Sequence, residues 1–407
     1  MGRIGRWTAL VVLAALLLTA CGQGGSGGQD AQGTGGDQAA DRLTVIGPWS
    51  GPEMEQFLPV LEEAERRLGV TIEYQTQRYE DLAQVLPAQF EAGETPADVI
   101  FMWDWWIKEH AADAADLGDV WQAEASAFRM PAAEADGRVV AVPYALTVKP
   151  GFWYRKSFFA EHNLQVPSTW EEFVTLLERL AAIDGIQAPV ASGDGTGWPL
   201  SDVVEHFLIA FGGPDLQRGL IEGRVAWTDP QVQAIFRDRL VPALEYFSDP
   251  MDWTQAAQLW WQGEYGLYFM GNWLTGMVED PSDLGVFPLP GAKGMVAATD
   301  YMFVPQHSPR VEQAKRLVAF LISREGMELR VRQGGKLSGR NDVPADAHPA
   351  VDQQVVQLLE GAEPLPDLDD AIGGDWQRTF WDQLKLLWVD PGQWQGVLER
   401  LEQERGR

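Results

Sequence analysis

Leu43-Thr44-Val45-Ile46, Val70-Thr71-Ile72-Glu73-Tyr74 and Val99-Ile100-Phe101-Met102 are three short β-rich runs, and the two intervals between them carry helical periodicity. Met54, Phe57, Leu58, Leu61 and Leu68 share one helical face, with Glu62, Glu63, Arg66 and Arg67 between them. The spacing predicts an amphipathic helix over 53–68, ended by Gly69. Tyr79 to Phe90 reads as a second helix. The third run is apolar without interruption, as expected of a strand covered on both faces. Strands alternating with helices in this way specify a parallel sheet layered by helices, an α/β fold.

Outward from this unit the chain is more helical. Thr169 stands three residues before Glu172, a capping-box spacing that opens a helix running through Leu180. Further helices are expected near 201–211, 230–247 and 254–262. Another starts at Ser308-Pro309, after an extended segment from Tyr301 to Val304. The body from Asp41 to Arg407, about 367 residues, exceeds what one hydrophobic core usually supports, so two domains are expected.

The first twenty residues carry Arg3 and Arg6, an apolar run from Ala9 to Leu18, and then Leu18-Thr19-Ala20-Cys21. The run is too short to span a bilayer, and the pattern resembles a bacterial lipoprotein signal cut before Cys21, which is then lipidated. Gly22 to Ala40 is built from Gly, Gln, Ser, Asp and Ala with no aliphatic run, the composition of a flexible tether. That order places the body outside the cytoplasmic membrane, on the periplasmic face or outer surface. Cys21 is the single cysteine, so no internal disulfide forms. The 31 basic residues less Arg3 and Arg6, against 59 acidic ones, leave the mature chain at −30. Nucleic acid and anionic lipid are poor partners for such a surface.

Several stretches, in order, resemble the maltose-binding-like family of extracellular solute-binding proteins. They are Pro96-Ala97-Asp98-Val99-Ile100, Val142-Pro143-Tyr144 with Trp153-Tyr154-Arg155-Lys156, Pro167-Ser168-Thr169-Trp170-Glu171-Glu172-Phe173, Gly266 to Trp273, Phe287-Pro288-Leu289-Pro290-Gly291, and Ala314 to Gly326. Each is weak alone, and their order over nearly all of 41–345 makes the combination specific. The resemblance implies a two-lobed periplasmic-binding-protein-like fold: two parallel or mixed sheets flanked by helices, a hinge crossed several times, and a ligand cleft between the lobes. Lobe 1 is expected over 41–148 plus 291–338, and lobe 2 over 149–290 plus 339–407. The implied function is a substrate-binding lipoprotein that delivers a neutral mono- or oligosaccharide to the permease of an ABC transporter, as a monomer.

A neutral sugar presents flat C–H faces and a ring of hydroxyls, so its receptor needs aromatic platforms beside fixed carboxylates and amides. Of the 18 tryptophans, Trp49, Trp103, Trp105, Trp106, Trp198 and Trp273 fall at expected loop or strand ends, accompanied by Glu53, Asp104, Asn272 and Asp300. Loops after parallel strands face the ligand, which favours 47–53 and 103–106. The family carries a stacking aromatic after its Met-Gly motif, which falls here on Trp273, with Asn272 beside it. Tyr144 joins the expected contacts. Glu53 serves either the ligand or the helix dipole, and Asp300 faces the cleft or merely opens a strand. Arg340, in a stretch resembling the family's late loop, bonds a hydroxyl or forms an ion pair.

No cofactor or metal is expected: the five histidines, at 110, 162, 206, 307 and 348, make no metal motif. Rival readings are a receptor for a quaternary amine held in an aromatic cage, a receptor for a polyol phosphate, a surface glycosidase and a static adhesin. Few basic residues fall in the expected cleft loops, which argues against phosphate. Because nothing in 1–40 can join a core, deleting it should leave the helical circular-dichroism signal and the urea midpoint of the remaining chain unchanged; a large loss of helix would refute the tether reading.

Overall fold

The computed structural model describes residues 42–194 and 197–405; the expected signal, tether and Cys21 lie outside them. The three β-rich runs fold as β1 (Arg42–Gly47), β2 (Thr71–Thr76) and β3 (Val99–Met102), mutually parallel in the order β2-β1-β3. The Pro52–Leu68 helix ends on Gly69 at φ 69°, whose N–H returns to the Glu65 carbonyl, the left-handed cap that glycine permits without strain.

The chain then adds β4 (Ala133–Ala135), β5 (Arg138–Val148), β6 (Gly151–Arg155), β7 (Ala188–Ala191), β8 (Gly193–Asp194) and β9 (Met251–Asp252). After these come β10 (Tyr265–Met270), β11 (Leu284–Phe287), β12 (Gly294–Phe303) and β13 (Glu363–Leu365). A larger sheet runs β2-β1-β3-β12-β5-β4, with β13 beside the start of β12. β12 is antiparallel to both β3 and β5, so this sheet is parallel only over its first three strands. A smaller sheet runs β11-β6-β10-β7, and β8 pairs with β9.

Both sheets are covered on two faces. Phe57, Val60, Leu317 and Leu321 pack on one side of the larger sheet, and Leu82, Leu86, Phe90 and Trp106 on the other. In β10 the alternation of strand side chains sends Leu267 and Phe269 into one core with Phe173 and Phe207, and Tyr268 and Met270 into another with Trp153 and Trp260. The fold is thus the expected mixed α/β architecture, each sheet with its helices forming one lobe.

The chain leaves the larger sheet at Lys149-Pro150 and returns over 288–293. Further on, Leu337 bridges Leu146 and Arg340 bridges Phe128, so the expected lobe boundary at 338/339 falls within a segment held to the larger sheet. The three C-terminal helices Ala350–Glu360, Gly374–Val389 and Trp394–Arg405 complete the smaller lobe, Phe380, Leu384 and Leu387 entering its core. The capping box is shifted by one residue: Thr169 Oγ1 accepts the Glu172 N–H at 3.2 Å, but Glu172 Oε2 accepts from the N–H of Ser168 rather than of Thr169. The expected 230–247 helix contains a π-helical turn at Phe236–Leu240.

The first crossing depends on Gly151. Its φ is 134°, and a Cβ there would sit 2.2 Å from the Phe287 carbonyl oxygen of β11. Gly151→Ala combines backbone strain with a backbone clash and should cost about 3 kcal/mol or more in a urea melt. Gly137→Ala is the matched control, with φ 73° but nothing within 4 Å of the new methyl, and should cost about 1 kcal/mol. Equal costs would show that the crossing is not limited by this close approach.

Candidate functional site

On the smaller lobe three tryptophans meet. Trp273 lies in the 3-10 turn Asn272–Gly276 that follows β10, and Trp198 opens the Trp198–Gly212 helix. Their rings are 5.8 Å apart at 60°, and Trp198 makes a similar edge contact with Trp253 at 5.7 Å. Gly271 lets Trp273 lie on the backbone, since a Cβ there would fall 1.9 Å from its ring. All three tryptophans remain partly exposed.

The Lys149 ammonium stands over two of these rings, 4.8 Å from the Trp198 centroid and 4.9 Å from that of Trp273. It also donates to Asp202 Oδ2 at 2.5 Å. Burial alone would lower the lysine pKa, but Asp202 and Asp367 outweigh it and raise the value, so Lys149 stays charged. Sequence reasoning missed this residue. Its signal was a single lysine within the otherwise apolar stretch from Val139 to Trp153.

On the larger lobe the polar groups gather beyond β1 and β3 and beside the irregularity in β12 at Asp300. Tyr79 donates to Asp300 Oδ1 at 3.1 Å, and Lys336 donates to Asp300 Oδ2 at 3.0 Å while lying 5.3 Å over the Trp49 ring. Glu53 is half-buried beside them and has no hydrogen-bond partner among the described residues. Burial raises its pKa, Lys336 opposes the rise and Asp300 adds to it. Trp103 and Trp105 stack at 5.5 Å and 15°, with Tyr79 edge-on to Trp103 at 5.3 Å. Asp104 gives one oxygen to Lys108 at 2.6 Å.

Four expected contacts are engaged inside the protein. Trp49 is 2% exposed and packs against Phe57, Tyr74, Phe101 and Tyr144, its backbone tied to the Tyr74 hydroxyl. Tyr144 lies in that same core. Asn272 is fully buried: Oδ1 accepts the Val148 N–H at 2.8 Å, and Nδ2 reaches the Gly335 carbonyl at 3.4 Å. Its amide therefore ties the chain crossing, where the sequence suggested a sugar hydroxyl. Arg340 is 4% exposed and takes the ion-pair alternative, with Asp342 held by two nitrogens and Glu124 and the Ile322 carbonyl by a third.

The structure thus brings together Trp198 and Trp273 on one lobe, and Glu53, Asp300 and Trp103 on the other. A groove lined by Ile186, Pro189, Phe247 and Tyr265, beside the edge strand β7, contains none of them. Titratable groups do cluster on the smaller lobe, at Asp202, Glu205, Asp367, Asp369 and Asp370. Burial and neighbouring carboxylates push Glu205 and Asp369 well above the carboxylate range.

The sequence pattern of bacterial extracellular solute-binding proteins matches residues 48–328. A protein of Pyrococcus horikoshii, described as an uncharacterised ABC transporter extracellular-binding protein, is 47% identical, with 97% of each chain covered. Among solved structures, the bacterial solute receptor AcbH, described as preferring β-D-galactopyranose, superposes with a TM-score of 0.78 at 19% identity, over 89% of this chain and 98% of the other. A chitin oligosaccharide binding protein does so with 0.74 at 20%, over 90% and 98%. At such identities the superpositions establish the shared two-lobed fold, whereas the family pattern and the Pyrococcus relative establish kinship. The chain belongs to the bacterial extracellular solute-binding proteins, the ligand-capturing component of ABC transporters.

Proposed function

We propose that this chain captures a neutral mono- or oligosaccharide between its lobes, closes on it and presents it to a membrane permease, held at the membrane by a lipid on Cys21. One observation carries the reading. A corner of partly exposed tryptophans, Trp198 and Trp273, stands on one lobe, and Glu53, a carboxyl without an internal partner, stands on the other. Stacking on the rings and hydroxyl donation to Glu53, Asp300 and Asp104 satisfy both aspects of a pyranose. Trp103, stacked on Trp105, offers a second platform. The two superposed receptors, one described for galactopyranose and one for chitin oligosaccharide, are consistent with this class of ligand. No bond is made or broken: the ligand shifts a hinge equilibrium by its differential affinity for the closed form.

The same geometry disfavours the rival ligands. A quaternary amine needs the faces of aromatic rings, and here the Lys149 ammonium already lies over Trp198 and Trp273 and repels a second cation. A polyol phosphate needs free cations, whereas Lys149 is paired with Asp202 and Lys336 with Asp300.

A thermal-shift screen of mono- and oligosaccharides beside glycine betaine and glycerol phosphates tests the class. A saccharide should raise the melting temperature; a selective rise with betaine or a phosphate would overturn the reading. Trp273→Ala should then lower calorimetric affinity for the selected sugar by roughly thirtyfold, about 2 kcal/mol. It should cost about 1 kcal/mol of stability, against about 3 to 5 for emptying a core site. Near-normal affinity with a collapsed urea midpoint sinks the platform role. Hydroxyls bond to ionised Glu53, whose pKa is raised, so affinity should fall as pH drops through that value, in a window above the ordinary carboxylate one. Glu53→Gln should abolish this dependence, and a pH profile identical in mutant and wild type excludes the contact.

A further inference from the structure

Behind the tryptophan corner, carboxylates converge out of solvent. Asp202 and Glu205 sit three residues apart on the Trp198–Gly212 helix and so project from one face. Asp367 comes from the turn that enters the Leu368–Ile372 helix. One oxygen of each lies within 4.8 Å of the others, and Asp202 and Glu205 are 2% and 0% exposed. Three carboxyl groups face one cation, Lys149, at 2.5 Å from Asp202 and 4.0 Å from Asp367. Ionising all three would leave two negative charges uncompensated, and burial with the neighbouring carboxylates accordingly holds Glu205 well above the carboxylate range.

A second observation points to what balances them. Gln217 is fully buried and reaches this cluster through its amide, Nε2 lying 2.6 Å from Glu205 Oε2 and 3.4 Å from the Pro366 carbonyl, while its Oε1 has no hydrogen-bond partner among the described residues. Asp367 Oδ1 is likewise buried without a partner. Buried polar atoms are rarely left so, because each keeps its desolvation cost without a hydrogen bond to offset it. Both orphans are oxygens, and both belong to groups that ligate hard cations.

We propose that Asp202, Glu205, Asp367 and Gln217 form a binding site for one divalent cation, best matched by Ca²⁺. The donors are all oxygen, which disfavours the softer transition metals. Mg²⁺ usually keeps several of its waters, whereas Ca²⁺ accepts a cage of protein carboxylate and amide oxygens, so a buried all-protein set favours Ca²⁺. Once the metal has displaced the protons of these carboxyls, its two positive charges bring the group with Lys149 to neutrality. The cation ties the Trp198–Gly212 helix to the 363–372 segment and fixes the carboxylate that holds Lys149 over the two tryptophans.

Purified protein stripped with EDTA and titrated with Ca²⁺ alone tests the site without any sugar. One ion per chain should bind with saturation in calorimetry, with a rise of several degrees in melting temperature that Mg²⁺ reproduces only at higher concentration. Asp367→Asn and Glu205→Gln should each weaken Ca²⁺ binding at least tenfold. If either fails to fold, Gln217→Met roughly keeps the volume and removes the amide oxygen together with the N–H donors to Glu205 and Pro366; it should weaken binding, and unchanged affinity in it overturns the site. A stability that responds to pH but to no divalent ion would identify protons as the counter-charge and overturn the proposal. Saturable binding that survives all three substitutions would place the ion elsewhere, with the same consequence.

Discussion

The ammonium of Lys149 is the interaction around which the two lobes are arranged. It sits where the chain passes from β5 to β6, so its backbone belongs to the hinge while its side chain reaches Asp202 on the smaller lobe. Withdrawing a lysine from water costs several kcal/mol, which the pair recovers only through close geometry and further partners. Those partners are the faces of Trp198 and Trp273. Both rings are thereby held by the charge that the crossing buries. Main-chain ties reinforce the same point: Lys149 N–H reaches the Val296 carbonyl at 3.0 Å, and Asn272 bonds the Val148 N–H.

The two walls consequently differ in chemistry. The smaller lobe offers rings whose back is cationic, and the larger offers carboxyls beyond β1 and β3 and, inside the antiparallel β12, at Asp300. Polar groups on the larger lobe are pre-organised in a chain, Tyr79 to Asp300 to Lys336, that fixes Asp300 before any ligand arrives and so reduces the ordering cost of binding. Glu53 stands outside that chain. The strong acidity of the molecule has little part in this, since most of its ion pairs are exposed and contribute little individually.

The βαβαβ reading of 43–102 was legible because strand and helix periods alternate there without interruption, and every element lies where the pattern placed it. The order of the larger sheet was not: β12 enters between β3 and β5 from about 150 residues further along, a long-range pairing that no local period encodes. The C-terminal helices were missed although Trp376, Phe380, Leu384 and Leu387 repeat at helical spacing. The site divided in the same way. Residue types and their loops were readable, so Trp273 and Glu53 stand partly exposed as expected, whereas Trp49 and Tyr144 lie in the core. An aromatic after a strand packs inward or outward by tertiary context, and its own sequence neighbours are the same in both cases. Asn272 looked like a ligand amide for a related reason: a buried crossing and a sugar both require a donor and an acceptor.

Closure under the sugar reading needs a ligand whose contacts differ between the open and closed forms, because equal affinity for both shifts nothing. Stacking on Trp273 is available in either. Hydrogen bonds to Glu53 require the opposite wall to approach, and Glu53 is half-buried without a partner, so its desolvation is already incurred before the sugar arrives. A hydrogen bond to such a charged acceptor is worth about 1.5 to 3 kcal/mol, and each 1.4 kcal/mol moves an equilibrium tenfold. Gln56, one helical turn beyond Glu53, already donates to the Gly276 carbonyl across the lobes at 3.0 Å. That bond brings the Glu53 face of the helix towards the turn that carries Trp273. On the proposed reading the stacked ring supplies affinity that is common to both forms, and the carboxyl that has no partner among the described residues supplies the difference that drives the hinge.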